Sequence, residues 1–425
     1  MHSLSRAAIA LMLACAPVAM HAQARTPAPT RDSAQVVYDD DGLRVHSADG
    51  TKQLKVRAYL TADLRNVLND TADGSTNGLA LRRSRVIFDA NLNKYLAARV
   101  MFDVGPPSGT SPLADAYVDV GLRGTWWIRA GKQKTPVGLE RYMSISSQIL
   151  PERSIASNLH ASRDVGLLLT GSVAAEHVEL SLGVFDGVPD GSGTQDTDPN
   201  DDKDITYRLW WKPVKLKVTG VEQGFGIAFN GSTGIEKSPA VAGARLPTYK
   251  TPAQISFFSY AEAAGVRAAG RHTRSGVFSY FHDGPFGAMG EWIGNTQVVS
   301  RSASTRTVNT GAWVMNVQYS LSGELSAQEG LTPKAGFDPD KGNWGAWQVG
   351  ARAAQIRVGD EAFPLFADST VAAHRALELG AALNWYITRQ TKMQLAYAHT
   401  TFDGGAKSGS RKAERYVQLR WQAYF

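Results

Sequence analysis

The strongest constraint on this chain is a period of two. From about residue 54 to the end, segment after segment alternates apolar with polar side chains, so each reads as an extended ribbon with one oily and one wet face. The last ten residues, Tyr416 to Phe425, show it plainly: Val417, Leu419, Trp421, Ala423 and Phe425 fall on one side, and Tyr416, Gln418, Arg420, Gln422 and Tyr424 on the other. The same split separates Leu54, Val56, Ala58, Leu60, Ala62 and Leu64 from Lys55, Arg57, Tyr59, Thr61, Asp63 and Arg65. It recurs at Val86 to Leu92, Ala98 to Val104, Ala116 to Val120, Val178 to Val184, Ile205 to Trp211 and Leu377 to Ile387. The uncharged stretch Thr307 to Gly323 alternates too, and no run after residue 24 is apolar and long enough to span a membrane as a helix.

Connections between these ribbons alternate in length. About a dozen residues (66–78) are followed by a tight turn at Asn93-Lys94, then a loop over 105–112 and a turn at Leu122-Arg123-Gly124. A stretch of 31 residues, Lys134 to Asp164, precedes the short turn Ala174-Ala175-Glu176. That rhythm suits antiparallel hairpins with elaborated loops at one end and turns at the other.

Such ribbons are satisfied either by a soluble sandwich, which hides oily faces against each other and must protect its edges, or by a closed wall with lipid outside and water within. The charge density of the polar faces, the aromatic residues at ribbon ends (Trp126, Trp127, Trp210, Trp211, Trp313, Trp385, Trp421, Tyr424) and the terminal Phe425 favour the wall. Composition agrees: 41 Gly, 14 Tyr, 15 Phe and 10 Trp with 20% charged residues favour strands and turns, and a mean hydropathy of −0.23 argues against a helical membrane protein. The expected fold is an all-β, transmembrane antiparallel β-barrel of about 16 to 18 strands, wide enough to enclose water.

The N-terminus supplies the compartment. A short basic region, Met1 to Arg6, precedes the apolar run Ala7 to Met20 and Ala22-Gln23-Ala24, so residues 1–24 read as a signal peptide. Cys15 as a lipoprotein cysteine fits poorly, because Met12-Leu13-Ala14 precedes it and the apolar run continues past it. Removing 24 residues leaves 401 with no cysteine, which excludes a disulfide framework in an exported chain. Residues 25–50 read as a flexible lead-in containing the polar turn Asp39-Asp40-Asp41-Gly42, and 51–425 as the barrel. The net charge of +6 falls to +5 without Arg6, and no basic cluster interleaved with aromatics points to nucleic acid.

Several stretches resemble the phosphate-selective porin O and P family of Gram-negative outer membranes: Leu81 to Arg85, Leu113 to Tyr117, Ile128 to Glu140, Pro151 to Ser154, Ser162 to Gly166, Gly183 to Gly187, Leu321 to Glu324, Gly345 to Trp347, Leu383 to Tyr386 and the C-terminal ribbon. They occur in order from about residue 50 to 425. The resemblance implies a roughly 16-stranded, usually trimeric barrel that passes small anions such as phosphate or polyphosphate by diffusion, without a cofactor, with a loop folded into the pore. The 31-residue stretch after the fifth ribbon is the candidate for that loop.

Anion selectivity needs Arg or Lys where a channel narrows. Parity directs Lys55, Arg57, Arg65, Arg83, Arg85, Arg99, Arg129, Arg208, Arg352 and Arg420 inward, against Asp63, Asp89, Asp103, Asp115, Asp119, Glu179 and Glu378. Ten against seven is not a strongly positive tube, so selectivity has to come from clustering. The candidate anion-contacting residues are Arg83 and Arg85, joined by Arg99 and Arg129 on neighbouring strands, with Lys132, Lys134, Arg141 and Arg153 from the long loop and its mouth. The opposing reading is that these arginines pair with aspartates across the wall and stiffen it. In the loop, Glu140-Arg141, Glu152-Arg153 and Arg163-Asp164 could equally be anchors; Glu152 and Asp164 favour that role.

The aspartate-rich stretch 186–204 departs from a calcium loop at Asp201 and Tyr207, and reads as a solvated outer loop bridged to lipopolysaccharide. A general or weakly selective porin is the alternative function. A barrel enzyme is disfavoured, because G-x-S-x-G, H-E-x-x-H and P-loop motifs do not occur and the histidines lack metal spacing.

Overall fold

The computed structural model describes residues 34–39, 42–68, 77–105, 112–191, 201–238 and 245–425. A short hairpin, β1 (Gln35–Asp39) and β2 (Gly42–His46), leads into β3 (Gln53–Val67), β4 (Gly78–Asn93), β5 (Leu96–Asp103), β6 (Leu113–Gly121), β7 (Trp127–Gln133), β8 (Asp164–Val173), β9 (Val178–Phe185), β10 (Asp204–Val218) and β11 (Val221–Lys237). After the small hairpin β12 (Thr248–Lys250) and β13 (Ser256–Ser259) come β14 (Arg267–Asp283), β15 (Phe286–Arg301), β16 (Ser304–Ser320), β17 (Ala346–Val358), β18 (Ala373–Tyr386), β19 (Thr391–Gly404) and β20 (Glu414–Tyr424). Apart from β12 and β13, which pair only with each other, the strands form an 18-stranded sheet, of which all but β1 and β2, sixteen strands, close into an antiparallel barrel where β20 pairs with β3 from Tyr424↔Tyr59 to Tyr416↔Val67.

The alternation decides which face looks out. On β20, Arg420 is 0% exposed and Trp421 is 49% exposed. The outward Leu182, Leu209, Met315, Leu379 and Leu395 are likewise exposed, whereas Gln394, Gln418 and Asn384 are buried inside. Among the described residues no helix is long and apolar enough to cross a membrane.

Two connections break the rhythm of loops and turns. At the loop end β15 and β16 are joined by only Ser302 and Ala303, while at the turn end residues 321–345 form a 25-residue connection between β16 and β17. Strand length is also uneven. β14, β15 and β16 have 17, 16 and 17 residues, against 7 in β7 and 8 in β9, so at about 3.3 Å per residue one side of the wall stands far taller.

The described part of the lead-in, residues 34–39 and 42–50, contains the β1–β2 hairpin. Gly42, at φ +99, lets Leu43 to His46 fold back on β1 and pair with Gln53 to Val56 of β3, just beyond the point where β20 ends. The free edge of β3 is thereby covered.

The interior corrects the simplest two-faced picture. Loop 134–163, with α1 (Leu139–Tyr142), folds inside the barrel, and Val137, Ile155, Ala156 and Leu159 join Phe257, Phe258, Tyr260, Phe366 and the inward Ile293, Val308, Val314, Ile356, Val358 and Phe402 in one hydrophobic core. At the loop end the inward positions of β15 to β19 are thus largely apolar, while outward positions such as Asn309, Arg357, Arg375 and Asp403 are polar and exposed. The inner face there meets folded loops rather than a solvent-filled hole.

Candidate functional site

Loop 134–163 is held by buried ions. Glu152 is met by Arg83 at 3.1 Å, Arg82 at 3.1 Å, Arg420 at 2.5 Å and Arg65 at 3.8 Å, and Arg420 also grips Asp63 at 2.6 Å. Burial pushes the Glu152 carboxyl up, but Arg82, Arg83 and Arg420 outweigh it and hold it well below the usual carboxylate range. A second anchor joins Arg352 to Glu140 at 3.4 Å and Glu378 at 3.1 Å, and Glu378 accepts from Ile155 N at 2.9 Å. At the start of α1, Glu291 accepts from the backbone of Leu139 and Glu140 and from His160 at 2.6 Å. Gly138 is required there: its φ is +78, and a Cβ would lie 2.1 Å from the His160 ring.

So held, the loop leaves a cavity of about 940 Å³ between itself and the wall of β3 to β10, with further lining from β11, β14 and the turn-end segments. Ten cations line it: Arg57, Arg85, Arg99, Arg129, Lys134, Arg153, Arg163, Lys212, Arg389 and Lys392. Only three carboxylates do, Asp115, Glu222 and Glu329. Behind the lining, Asp89 serves both Arg57 and Arg99, Asp103 bonds Arg85 at 2.7 Å, and Asp119 bonds Arg129 at 2.6 Å. Adding those three aspartates gives six carboxylates against ten cations, a surplus of four positive charges.

The surplus has a structural origin. Lys134 Nζ donates to the carbonyls of Tyr142 (2.8 Å) and Met143 (2.9 Å), Arg153 to those of Glu140 and Met143 (each 3.0 Å), and Lys392 to those of Ser146 (2.8 Å) and Gln148 (3.3 Å). Carbonyl dipoles satisfy donors without cancelling charge. Burial first, then the neighbouring Arg153 and Arg163, push the Lys134 ammonium well below the usual lysine range. Aromatic rings sit among the cations: the Arg129 guanidinium lies 3.8 Å from the Tyr117 ring centroid, and Arg208 lies 4.3 Å from that of Tyr142.

Of the sequence candidates, Arg85, Arg99, Arg129, Lys134 and Arg153 line the cavity together. Arg83 is separated from Arg85, because a register shift in β4 beside Thr61 and Ala62 of β3 accompanies its turn toward Glu152. Lys132 is buried in the wall, and Arg141 donates to Gly191 O at 3.1 Å; neither lines the cavity. Glu152 anchors the loop, and Asp164 accepts from the backbone of Val165 and Gly187.

Sequence reasoning missed Lys212, Arg389 and Lys392, and weighed Arg163 only beside Asp164, whereas it pairs with Asp115 at 2.5 Å. Of the aspartate-rich stretch, Asp196 to Asn200 lies outside the described residues. Asp190 is not solvated but buried against Arg274 at 2.7 Å and Asn295. Among the described residues, no three His, Cys, Asp or Glu side chains form a group that could hold a metal ion.

Comparison with known proteins agrees with this architecture. The family model described as phosphate-selective porin O and P matches residues 54–425. No curated protein sequence gives a significant match. Among solved structures, the chain is similar to the outer membrane channel DcaP of Acinetobacter baumannii, with a TM-score of 0.55 and 10% identity over 88% of this chain and 98% of that one. It is also similar to an anion-selective porin from Comamonas acidovorans, with a TM-score of 0.53 and 12% identity over 88% and 100% of the two chains. A third is in-vitro folded OmpT of Vibrio cholerae in a trimer form, with a TM-score of 0.53 and 11% identity over 88% and 100%.

Proposed function

Since the chain belongs to the phosphate-selective porin O and P family, an outer-membrane channel family, we propose that its barrel passes small oxyanions, phosphate among them, by passive diffusion. The observation that carries this reading is the imbalance along the cavity, ten lining cations against three carboxylates. An anion entering between loop 134–163 and the wall exchanges part of its hydration for guanidinium and ammonium donors. It then moves to the next, because most of those cations already share their charge with an aspartate or a carbonyl and hold it weakly. Phosphate itself rests on the family's name, and a trimer on the family and the Vibrio neighbour.

Loop 134–163 is the constricting element in this reading. It crosses from β7 to β8, yet reaches Arg352, Glu378, Gln394 and Arg420 on the far wall. A weakly selective pore is the second reading, favoured by the direct pairing of Arg57, Arg85, Arg99, Arg129 and Arg163 with aspartates. Reversal potentials in a salt gradient across planar bilayers distinguish the two. Anion preference that weakens when phosphate is added in millimolar amounts is expected; equal permeability of potassium and chloride would reject the oxyanion reading.

A further inference from the structure

Residues 321–345 connect β16 to β17 at the end of the barrel where the other connections are short turns. The segment is pinned inside the mouth. Ser326 N donates to Gly284 O at 2.8 Å, Ser326 O accepts from Gln223 at 2.8 Å, and the Ser326 hydroxyl bonds Gln318 at 2.7 Å and His282 at 2.9 Å. A few residues on, Leu331 packs with Ala346 and Tyr386. Between these fixed points Gln328 and Glu329 line the same cavity as the basic residues, and Gly330 stands against Ser147 of the inner loop, where an added Cβ would lie 3.7 Å from the Ser147 backbone.

At this edge carboxylates stand among cations, since Glu329 and Glu222 line the cavity together with Lys212, Arg389 and Lys392. Glu329 is exposed to the cavity and makes no ion pair with a described residue. Glu222, on β11, is the other carboxylate that lines the cavity at this end; it accepts from Tyr280 at 3.0 Å and stands 4.0 Å from Lys212. In the closed order β3 is the first barrel strand and β11 the ninth of sixteen, so Glu222 lies half-way round the mouth from Arg57.

We propose that residues 324–331 form a second narrowing element at the turn end, and that Glu329 is a specificity-determining residue there, tempering the anion preference set by the wall opposite. The proposal rests on the channel reading above. An anion leaving the basic wall meets a carboxylate across the gap, which weakens its hold at the exit, as conduction requires.

The test uses the full chain with Cys15→Ser and E329C, modified by thiosulfonates carrying either a positive or a negative charge, with modification checked by mass. Both adducts should lower single-channel conductance. The positive adduct should shift the reversal potential toward stronger anion preference and the negative one toward weaker. Full modification with neither conductance nor reversal potential changed would overturn the proposal. Unmodified protein in the same bilayers separates the two failures: an anion-selective parent with an indifferent E329C defeats only this inference, whereas an unselective parent defeats the channel reading first. E329Q supplies a check free of added bulk, expected to move the reversal potential in the direction of the positive adduct; a shift in the opposite direction would overturn the assignment.

Discussion

The two sides of the lumen are built on opposite principles. Along β3 to β9 the inward positions carry Arg57, Arg85, Arg99 and Arg129 beside Tyr59 and Tyr117, each cation paired laterally to an aspartate on the next strand and open to the cavity. Along the loop-end halves of β15 to β19 the inward positions carry Ile293, Val308, Val314, Ile356 and Phe402, sealed under Phe257, Phe258 and Phe366. The difference teaches that barrel closure sets no interior chemistry of its own. One half is a charged surface, and the other is a core that gives the inner loop a fixed seat.

If the sealed half is structural, its variants should cost stability and spare selectivity. Phe258→Ala, which removes a ring stacked on Tyr249 at 5.3 Å, should destabilise by about 3–5 kcal/mol in urea titration of detergent-solubilised protein, with the reversal potential unchanged. At the boundary between the halves, Glu152→Ala leaves Arg83 and Arg420 buried without their shared carboxylate. A loss of about 3–5 kcal/mol is expected, with noisy single-channel currents as the loop detaches.

The charged half should behave in the reverse way. Replacing Arg99 and Arg129 by Gln should cost about 1 kcal/mol or less each, because both pairs are partly exposed, yet should move the reversal potential toward zero. An unmoved potential would make that wall purely mechanical. The smallest effect concerns pH. The ammonium of Lys134 is held below its ordinary range, so raising pH should remove its charge and reduce anion preference before ordinary lysines titrate. Lys134→Met should abolish that inflection.

Much of this was legible in sequence. On β3, β5 and β20 the outward residues are apolar and the inward ones polar, so parity alone identified Arg57, Arg99 and Arg420 as inward. On β17 the signal reverses: at the turn end Gln348 and Arg352 point in with Val349 and Ala351 out, whereas at the loop end Ala354, Ile356 and Val358 point in with Gln355 and Arg357 out, so polarity alone misassigns one half. Length marked loop 134–163 as an insertion, but its docking partners, Arg352, Glu378 and Arg420, lie more than 190 positions away. Arg389 and Lys392 escaped notice for a similar reason, since they sit at a short turn whose closeness to the cavity is a product of closure. The connection 321–345 shares composition with outer loops, and only counting turns around the complete barrel puts it at the other end.

The first and last strands of the barrel meet at a single seam. Asp63 and Arg420, bonded through two nitrogens at 2.6 and 2.8 Å, are 357 positions apart, and Phe425 exchanges backbone hydrogen bonds with Ala58. The wall can therefore close only when its first and last strands are both present, and the contact that closes it joins nearly the two ends of the chain, the kind of pairing whose loop-closure cost makes folding slow.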